Sequence, residues 1–288
     1  MTAKPSRLRK NSPMREVWRR LKKNKLSMVC LGIILALLLV AILGSLITPY
    51  NYAAQDLENA LLSPSFRHPF GTDNFGRDMF SRVMYGTRYT IFIGFFCITV
   101  SALIAIPLGL ISAYYQKLDN LIMRALDVII GMPTTPLLLV LIAALGISMG
   151  HMIIALTVVT IPGFARVTRS QAMVVKNQEF IEASVAIGAS NLRILLRHIL
   201  PNSMAPLIIQ FTLGTGFVVL ESAALSFVGM GVQAPHPEWG LMISTGRAFL
   251  RTSWYLSIMP GLAIMTLTFA LNYLGDGLRD AMDPRLNK

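Results

Sequence analysis

Long apolar stretches with few charged side chains are the feature that most constrains how this 288-residue chain folds. A membrane-spanning helix needs about 20 consecutive, mostly apolar residues, because each residue rises about 1.5 Å through a hydrocarbon core about 30 Å thick. The sequence therefore predicts an all-α, polytopic membrane protein with six transmembrane helices. The predicted helices are Ser27–Thr48, Tyr89–Gln116, Leu121–Ile147, Met152–Thr168, Ser203–Gly231 and Ser253–Gly275.

The composition excludes a water-soluble enzyme. Charged residues make up 14% of the chain, compared with about 25% in soluble domains. Cys30 and Cys97 lie inside apolar runs, so we expect buried apolar side chains rather than a disulfide or a metal site. Pro162 and Gly163 fall within the fourth stretch, and we expect that helix to be broken or kinked there.

The distribution of positive charge predicts the orientation in the membrane. Residues 1–26 contain ten Lys and Arg and one acidic residue, and twenty of the chain's 26 Lys and Arg residues fall on that same side. Cytoplasmic segments carry an excess of Lys and Arg, so both termini are predicted to be cytoplasmic. The basic tail is interpreted as a topology signal that contacts membrane lipid, and no nucleic-acid partner is expected.

The predicted organisation follows from these spans. A basic cytoplasmic tail (1–26) and a first transmembrane helix (27–48) precede an extracellular loop (49–88). The remaining core (89–288) has five transmembrane helices, a cytoplasmic loop (169–202), a second extracellular loop (232–252) and a cytoplasmic C-terminus (276–288). In the second extracellular loop, Trp239, Trp254 and Tyr255 are predicted to join an interfacial aromatic belt, and residues 239–250 to form a short surface helix.

The cytoplasmic loop has helical periodicity although it lies between two spans. A helix is predicted that begins at Ser190 or Asn191 as its cap and ends at Pro201. Its apolar stripe consists of Leu192, Leu195, Leu196 and Ile199. A shorter helix over Glu179–Ile187 precedes it, with Gly188 at the reversal of the chain. Such a hairpin fits either a rigid lever that a partner protein pushes or an interfacial amphipathic helix lying on lipid, with the side chains of Arg193 and Arg197 snorkelling to the headgroups.

Four sequence stretches resemble one family of transport proteins. EASVAIG followed by HILPN resembles the EAA motif of ABC-importer permeases, the loop that docks into the ATPase subunit. GTDNFGRDMFSRVMYGTR (71–88), LSFVGMGVQAPHPEWG (225–240) and GDGLRDAMDPR (275–285) resemble the C-type permease subunit of the dipeptide, oligopeptide and nickel importer family. The residues that match the EAA motif are Glu182, Ala183, Gly188, Ile199, Leu200 and Pro201, and Ser184 replaces the usual second alanine.

This resemblance implies the type I permease fold of ABC importers and a set of partners. The partners are a second homologous permease, two ATP-binding subunits and an extracellular substrate-binding protein, in the cytoplasmic (inner) membrane of a bacterium or archaeon. ATP and magnesium are expected on the ATP-binding subunits and no cofactor on this chain, which has no G-x-x-x-x-G-K-[ST] loop. Di- and oligopeptides are the expected substrates, and nickel chelates, glutathione or opines are the alternatives.

Glu221 is the only acidic residue deep in an apolar run. A carboxylate in a membrane segment is costly unless it is paired or hydrated, so such residues mark functional sites. Glu221 is therefore predicted either to line the substrate pathway or to bond within the interface between permease subunits, and a structural or gating role is favoured over direct contact with substrate.

The outer motif is predicted to be rich in turns. Asp73 or Asn74 is expected to form an Asx turn, and Arg77 and Asp78 are free to pair. The motif is interpreted as a packed cap that contacts the binding protein or braces the entrance. Its candidate residues are Gly71, Asp73, Gly76, Arg77 and Asp78.

Other membrane functions are the competing hypotheses. A channel or an ion-driven secondary transporter commonly buries a relay of ionisable groups at the midplane, whereas Glu221 stands alone. An intramembrane protease would need a second membrane aspartate or a Ser/His pair on a shared span. No metal site is predicted, because the four histidines are scattered over different segments: His68, His151, His198 and His236.

Overall fold

The computed structural model describes the backbone of residues 13–282 and the side chains of residues 15–282. Residues 1–12 of the predicted tail and 283–288 of the predicted C-terminus lie outside this range. Within it, the chain is mainly helical and has no strand beyond one isolated bridge between Thr72 and Asp78. The α-helices are α1 (Pro13–Leu21), α2 (Lys25–Ile47), α3 (Met79–Tyr114), α4 (Gln116–Ile130), α5 (Thr134–Leu145), α6 (Met149–Lys176), α7 (Glu179–Ala186), α8 (Asn191–Arg193), α9 (Leu200–Phe227), α10 (Trp239–Gly246) and α11 (Tyr255–Met282). Short 3₁₀ turns cover Leu57–Asn59 and Arg247–Phe249, and a π-helical segment, Ile194–Ile199, joins α8 to α9.

The described residues contain five helices long and apolar enough to cross a membrane, and a bent pair that makes a sixth crossing if counted as one. The five are α2, α3, α6, the continuous stretch from α8 to α9, and α11. This confirms the all-α, polytopic prediction. We call the end of the bundle that carries α7 the inner end, and the end that carries residues 48–78 the outer end.

The predicted third span, Leu121–Ile147, is wrong as a single helix. It is divided into α4 and α5, which meet at 90°. The break contains Gly131 and Pro133. Proline has no amide hydrogen to donate and disfavours helical backbone at the residue before it, so the two helices separate at this point.

Two predicted helix breaks do not occur. α6 runs through Pro162 from Met149 to Lys176, so it is neither broken there nor limited to Met152–Thr168. The helix after the cytoplasmic loop does not end at Pro201, which lies in the first turn of α9. α9 continues the π-helical segment Ile194–Ile199 without a break, so this proline follows a π-bulge inside one longer helix.

Two segments predicted as a loop and a terminus are partly helical. α3 begins at Met79, so residues 79–88 of the predicted outer loop are helical. The Asp78 carboxylate caps this helix, accepting a hydrogen bond of 2.7 Å from the Ser81 amide. At the other end of the chain, α11 continues to Met282 and so includes the beginning of the predicted cytoplasmic C-terminus.

α3, α6 and α9 pack closely through small residues. A Cβ atom on Gly109 of α3 would lie 2.6 Å from the carbonyl oxygen of Ala165 in α6. A Cβ atom on Gly214 of α9 would lie 2.6 Å from Cδ1 of Ile98 in α3. Small residues allow helix backbones to approach closely in membrane proteins, where packing drives association. These three helices therefore form the centre of the bundle.

Candidate functional site

The cytoplasmic loop folds as the predicted helix–glycine–helix hairpin, which we call the coupling hairpin (residues 179–199). α7 ends in a Schellman cap, in which the Gly188 amide donates to the Val185 carbonyl and the Ala189 amide to the Ser184 carbonyl. Gly188 has a φ of +79°, and a Cβ atom there would meet no atom within 4 Å. The backbone conformation, and not a lack of space, is therefore what favours glycine.

The predicted coupling residues divide between an exposed tip and a buried base. Glu182 and Ala183 are exposed, and the Glu182 carboxylate has no ion pair or hydrogen bond within residues 15–282. Ser184 is half-buried and its hydroxyl donates to the Phe180 carbonyl over 2.7 Å, so it adds no unsatisfied polar group. At the base, Ile199 is buried, Leu200 is half-buried and Pro201 is exposed.

The tip also exposes large apolar side chains. Ile187 is 85% exposed, and three others are exposed as well: Phe180, Val185 and Leu192. A cluster of exposed apolar residues on a projecting element is typical of a surface that contacts a partner.

One side chain of α7 attaches the hairpin to the bundle. Ile181 is 3% exposed and belongs to a buried apolar cluster that also contains Leu110 of α3, Val175 of α6 and Ile194 of the π-helical segment. α7 packs against the π-helical segment, so movement of α7 reaches the inner ends of α3 and α6 through this cluster.

The predicted apolar stripe is only half correct. Leu195 and Ile199 are buried, but Leu192 and Leu196 are exposed, and Ile194 is buried in their place. The physical reason is the π-helical segment, whose hydrogen bonds join residues five apart and so change the spacing of residues that share a face.

Polar contacts at the inner end join the hairpin to α3. The Lys176 ammonium, at the end of α6, donates to the carbonyls of Ala113 (3.2 Å) and Tyr114 (3.0 Å). The Tyr114 hydroxyl donates to the side-chain oxygen of Asn191 over 2.8 Å. Sequence reasoning missed these contacts because the partners are far apart in the chain and have no common motif.

A pair of salt bridges connects α4 to α6 at the same end. The Arg169 guanidinium binds the Asp119 carboxylate through two hydrogen bonds of 2.6 and 2.5 Å, and the Ser112 hydroxyl also donates to this carboxylate. Arg166 pairs with Asp127, about one turn from Arg169 on α6 and about two turns from Asp119 on α4. α4, which precedes the 90° bend, is thus connected to α6, which leads into the coupling hairpin.

Glu221 lies on α9 and is half-buried. Its carboxyl group adjoins Thr135, in the first turn of α5 just after the 90° bend. One carboxyl oxygen is buried without a hydrogen-bond partner, and no Lys or Arg among residues 15–282 pairs with it. The absence of a compensating charge within this part of the chain keeps Glu221 as a candidate for the pathway or for gating.

The outer motif forms the predicted turns. Gly71 and Gly76 have φ values of +73° and +71°, which glycine adopts without steric cost. Asp73 accepts a hydrogen bond of 2.8 Å from the Phe75 amide, which is the predicted Asx turn.

Charge pairing within the outer motif differs from the expectation. Arg77 does not pair with Asp78 but donates to Asp73 over 2.6 Å, and Arg82 approaches the same carboxylate at 3.6 Å. Asp78 instead contacts His68 at 2.9 Å while it caps α3. All of these groups except the His68 ring are buried, so the motif is a packed cap whose charges are satisfied internally.

The second outer loop is more deeply packed than predicted. Trp239 is fully buried and its indole N–H donates to the Val83 carbonyl over 2.9 Å, so α10 is not a surface helix. Tyr255 is buried as well, and of the three predicted belt residues Trp254 alone is exposed. Sequence reasoning placed these aromatic residues at the lipid interface because the packing of α10 against α9 and α11 is not visible in the sequence.

Glu238 is a buried residue that sequence reasoning missed. It caps α10, accepting hydrogen bonds from the amides of Gly240 (2.9 Å) and Leu241 (2.8 Å). Burial raises the pKa of the Glu238 carboxyl above its usual value, while the two amides act in the opposite direction. In the sequence, the indication of a buried cap was the run Pro237, Glu238, Trp239 before a short helix, and this run also fits an ordinary exposed loop.

No three His, Cys, Asp or Glu side chains within residues 15–282 lie close enough together to hold a metal ion.

A polytopic helical bundle with a projecting hairpin at its inner end is the architecture of an ABC-importer permease. In solved structures of the MetNI methionine ABC transporter in inward-facing conformations, a chain superimposes with a TM-score of 0.59 at 21% identity. The match covers 70% of this chain and 97% of that one. At this identity the likeness establishes the fold.

The family follows from sequence. Residues 105–288 match the family described as the binding-protein-dependent transport system inner membrane component. Residues 12–64 match the N-terminal transmembrane domain of oligopeptide transport permease C. The chain therefore belongs to the family of binding-protein-dependent transport system inner membrane components.

Relatives with assigned names are similar over nearly their whole length. The dipeptide transport system permease protein DppC of Alkalihalophilus pseudofirmus is 45% identical, over 96% of this chain and 91% of the relative. The glutathione transport system permease protein GsiD of Escherichia coli is 40% identical, over 98% and 93%. A putative peptide transport system permease protein of Brucella abortus is 38% identical, over 96% and 93%.

The chain is thus a multi-pass membrane permease of an ABC importer, a transport subunit rather than an enzyme. Permeases of this family work with ATPase subunits and with a substrate-binding protein.

Proposed function

We propose that this chain is one of two homologous permease subunits of an importer for short peptides. The importer lies in the cytoplasmic (inner) membrane of a bacterium or archaeon, with the inner end of the bundle facing the cytoplasm. ATP and Mg²⁺ bind to two partner ATPase subunits, and an extracellular substrate-binding protein delivers the peptide to the outer end. The similarity to permeases named for dipeptide and peptide transport supports this substrate.

The observation that carries the proposal is the coupling hairpin. Its tip is exposed, it includes exposed apolar side chains, and Ile181 fixes it to the core that joins α3 and α6. An ATPase subunit that moves the tip therefore moves the helices behind it. In this proposal, the contacting and supporting residues of the ATPase-docking EAA motif are Glu182, Ala183, Ser184, Gly188, Ile199, Leu200 and Pro201.

A protein partner suits α7 better than a lipid surface does. Helices that lie on membranes carry Lys and Arg on their polar face, and the cytoplasmic leaflet is negatively charged. The first turn of α7 instead carries Glu179 and Glu182, both exposed. Repulsion from anionic lipid disfavours a helix lying flat on the membrane, whereas the exposed carboxylates suit a basic pocket on a protein.

The outer cap takes a second role in the proposal. Its residues Gly71, Asp73, Gly76, Arg77 and Asp78 brace the entrance and support the docked binding protein. The buried pair between Asp73 and Arg77 supports this role, because it makes the cap rigid without using charges that face solvent.

Glutathione is the second candidate substrate, because a relative named for glutathione transport is 40% identical over 98% of this chain. Competition between labelled dipeptide and unlabelled glutathione for uptake distinguishes the two.

The experiment reconstitutes the complete complex in liposomes with the binding protein outside and ATP inside. We expect the ATPase subunits to co-purify with this chain and labelled dipeptide to accumulate only with ATP and the binding protein. The matched control is a complex whose ATPase subunits carry an inactivating substitution. Sustained peptide flux through this permease without active ATPase subunits, or a failure of any ATPase subunit to co-purify, would refute the proposal.

A further inference from the structure

A cleft of about 260 Å³ opens between α3, α6 and α9, near the middle of the membrane-spanning bundle. Its volume is close to the lower end of the range of about 300–1,000 Å³ that small-molecule sites occupy. The cleft is lined mainly by apolar and small residues, among them Ile98, Val159, Thr160, Gly163, Gln210 and Phe217.

Gln210 is the polar group of the cleft that has no partner. Thr160 also lines the cleft, but its hydroxyl already donates to the Leu156 carbonyl over 2.9 Å. The Gln210 side chain is half-buried and forms no hydrogen bond within residues 15–282. A carboxamide has two donors and an acceptor oxygen, and leaving them unmatched in an apolar environment is costly. Lipid tails cannot match them, so the cleft needs an occupant with its own donors and acceptors.

The same face of α9 continues towards the outer end with Phe217 and Glu221. Spacings of seven and eleven residues are about two and three helical turns, so these side chains project in nearly the same direction as Gln210. Glu221 is about 16 Å further along the helix axis. An extended peptide of about five residues has that length. One face of α9 thus has an amide and a carboxylate at a spacing that suits an extended peptide.

We infer that this cleft is a section of the substrate passage, in which Gln210 hydrogen-bonds to peptide groups and Glu221 attracts the N-terminal ammonium group. The inference rests on the proposed import of peptides and adds to it the residues that contact the substrate. Lipid and the second permease subunit are the other possible occupants of this face, and the experiments below distinguish them.

Gly163 provides a direct test of occupancy. It lines the cleft on α6, and a Cβ atom there would meet no atom within 4 Å, so a side chain introduced at this position enters the cleft without a clash. Both native cysteines, Cys30 and Cys97, are fully buried. Gly163→Cys therefore adds one reactive thiol to this chain in the complete complex, with little labelling elsewhere in the same chain.

We expect a water-soluble thiol reagent to label Gly163→Cys, and a dipeptide with binding protein and ATP to slow the labelling several-fold. Labelling only by a lipid-soluble maleimide would assign the cleft to lipid, and no labelling by either reagent would assign it to the second permease. Either result, or labelling that the dipeptide does not change, overturns the inference. Dipeptide uptake by the parent complex is measured in parallel, because its absence would refute the proposed function instead.

A size series at Gly163 tests passage. Uptake is expected to fall progressively in Gly163→Ala, Gly163→Val and Gly163→Phe, with longer peptides affected first, because larger side chains narrow the cleft. Gly32→Phe is the matched control: Gly32 is also helical, exposed and free of atoms within 4 Å of its Cβ position, but it lies on α2 away from the cleft. Equal uptake by Gly163→Phe and Gly32→Phe would overturn the inference.

The polar groups are tested separately. Gln210→Leu removes the carboxamide at similar volume, and we expect a roughly fivefold fall in uptake, the effect of one lost hydrogen bond. Glu221→Gln removes the charge, and Glu221→Asp keeps it. We expect uptake of free-amino peptides to fall in Glu221→Gln and to be largely retained in Glu221→Asp. Unchanged uptake in both Gln210→Leu and Glu221→Gln would contradict the roles assigned to these residues.

Discussion

Replacement of Gly188 by valine should weaken the connection between ATP hydrolysis and transport. Gly188 has a φ of +79° in the turn of the coupling hairpin, and its Cβ position is empty. The substitution therefore acts through backbone conformation and not through a clash. A β-branched residue in left-handed backbone costs roughly 1–2 kcal/mol. That energy changes the ratio of closed to opened hairpin by a factor of about 5–30.

Two measurements follow from this magnitude. The amides of residues 188 and 189 donate to the carbonyls of Val185 and Ser184, so their hydrogen exchange reports opening of the turn. We expect exchange in Gly188→Val to be about 5–30 times faster than in the parent chain. We also expect fewer peptides imported per ATP hydrolysed, while the complex still assembles.

Gly188→Asn is the matched control, because asparagine tolerates left-handed backbone better than other residues with a side chain. It should behave nearly as the parent chain does in both measurements. If Gly188→Val and Gly188→Asn exchange and transport equally well, the left-handed turn is not what the hairpin requires and the reasoning fails.

Two further predictions concern stability, measured as the thermal midpoint at which the buried cysteine thiols become reactive in detergent. Asp73→Asn breaks the buried pair with Arg77 and should destabilise the fold by about 3–5 kcal/mol. Asp276→Asn breaks an exposed pair with Arg279 and should cost at most about 1 kcal/mol. Equal thermal midpoints for the two variants would contradict this difference. Ile181→Ala should destabilise the fold by about 2–5 kcal/mol and loosen the attachment of α7. Val185→Ala, at an exposed position, should leave the thermal midpoint almost unchanged. A larger effect of Val185→Ala than of Ile181→Ala would disprove the anchoring role of Ile181.

Local sequence properties predicted the crossings and the coupling hairpin. The length of an apolar run and a glycine between two short periodic segments are both visible within a few turns of chain, and Gly188 lies at the turn as expected. Proline was an unreliable guide: Pro133 separates two helices, but α6 runs through Pro162. The outcome at a proline depends on whether other groups satisfy the freed backbone, and those groups come from the tertiary structure.

The region of Pro201 illustrates this dependence. A π-helical segment, Ile194–Ile199, lies just before this proline, so the helix continues through Pro201 with a local change of hydrogen-bond spacing. The sequence alone did not show this change of spacing, and Pro201 was therefore predicted to end the helix.

The candidate site was less predictable than the fold, because its groups come from distant parts of the chain. Gln210 appeared as one polar residue in an apolar run. Only the packing of α9 against α3 and α6 shows that it faces a cleft. In the same way, Arg77 had two carboxylates within four residues, and only the turn geometry decides that it pairs with Asp73.

The unbroken course of α6 has a mechanical consequence. Gly163, at the wall of the cleft, and Lys176, beside the coupling hairpin, lie on one helix about 20 Å apart. If α6 tilts rigidly by about 10° about a point near Gly163, Lys176 moves by roughly 3.5 Å. This displacement equals the rise of one residue in an extended chain. The cleft and the coupling hairpin would then move together, because one continuous helix connects them.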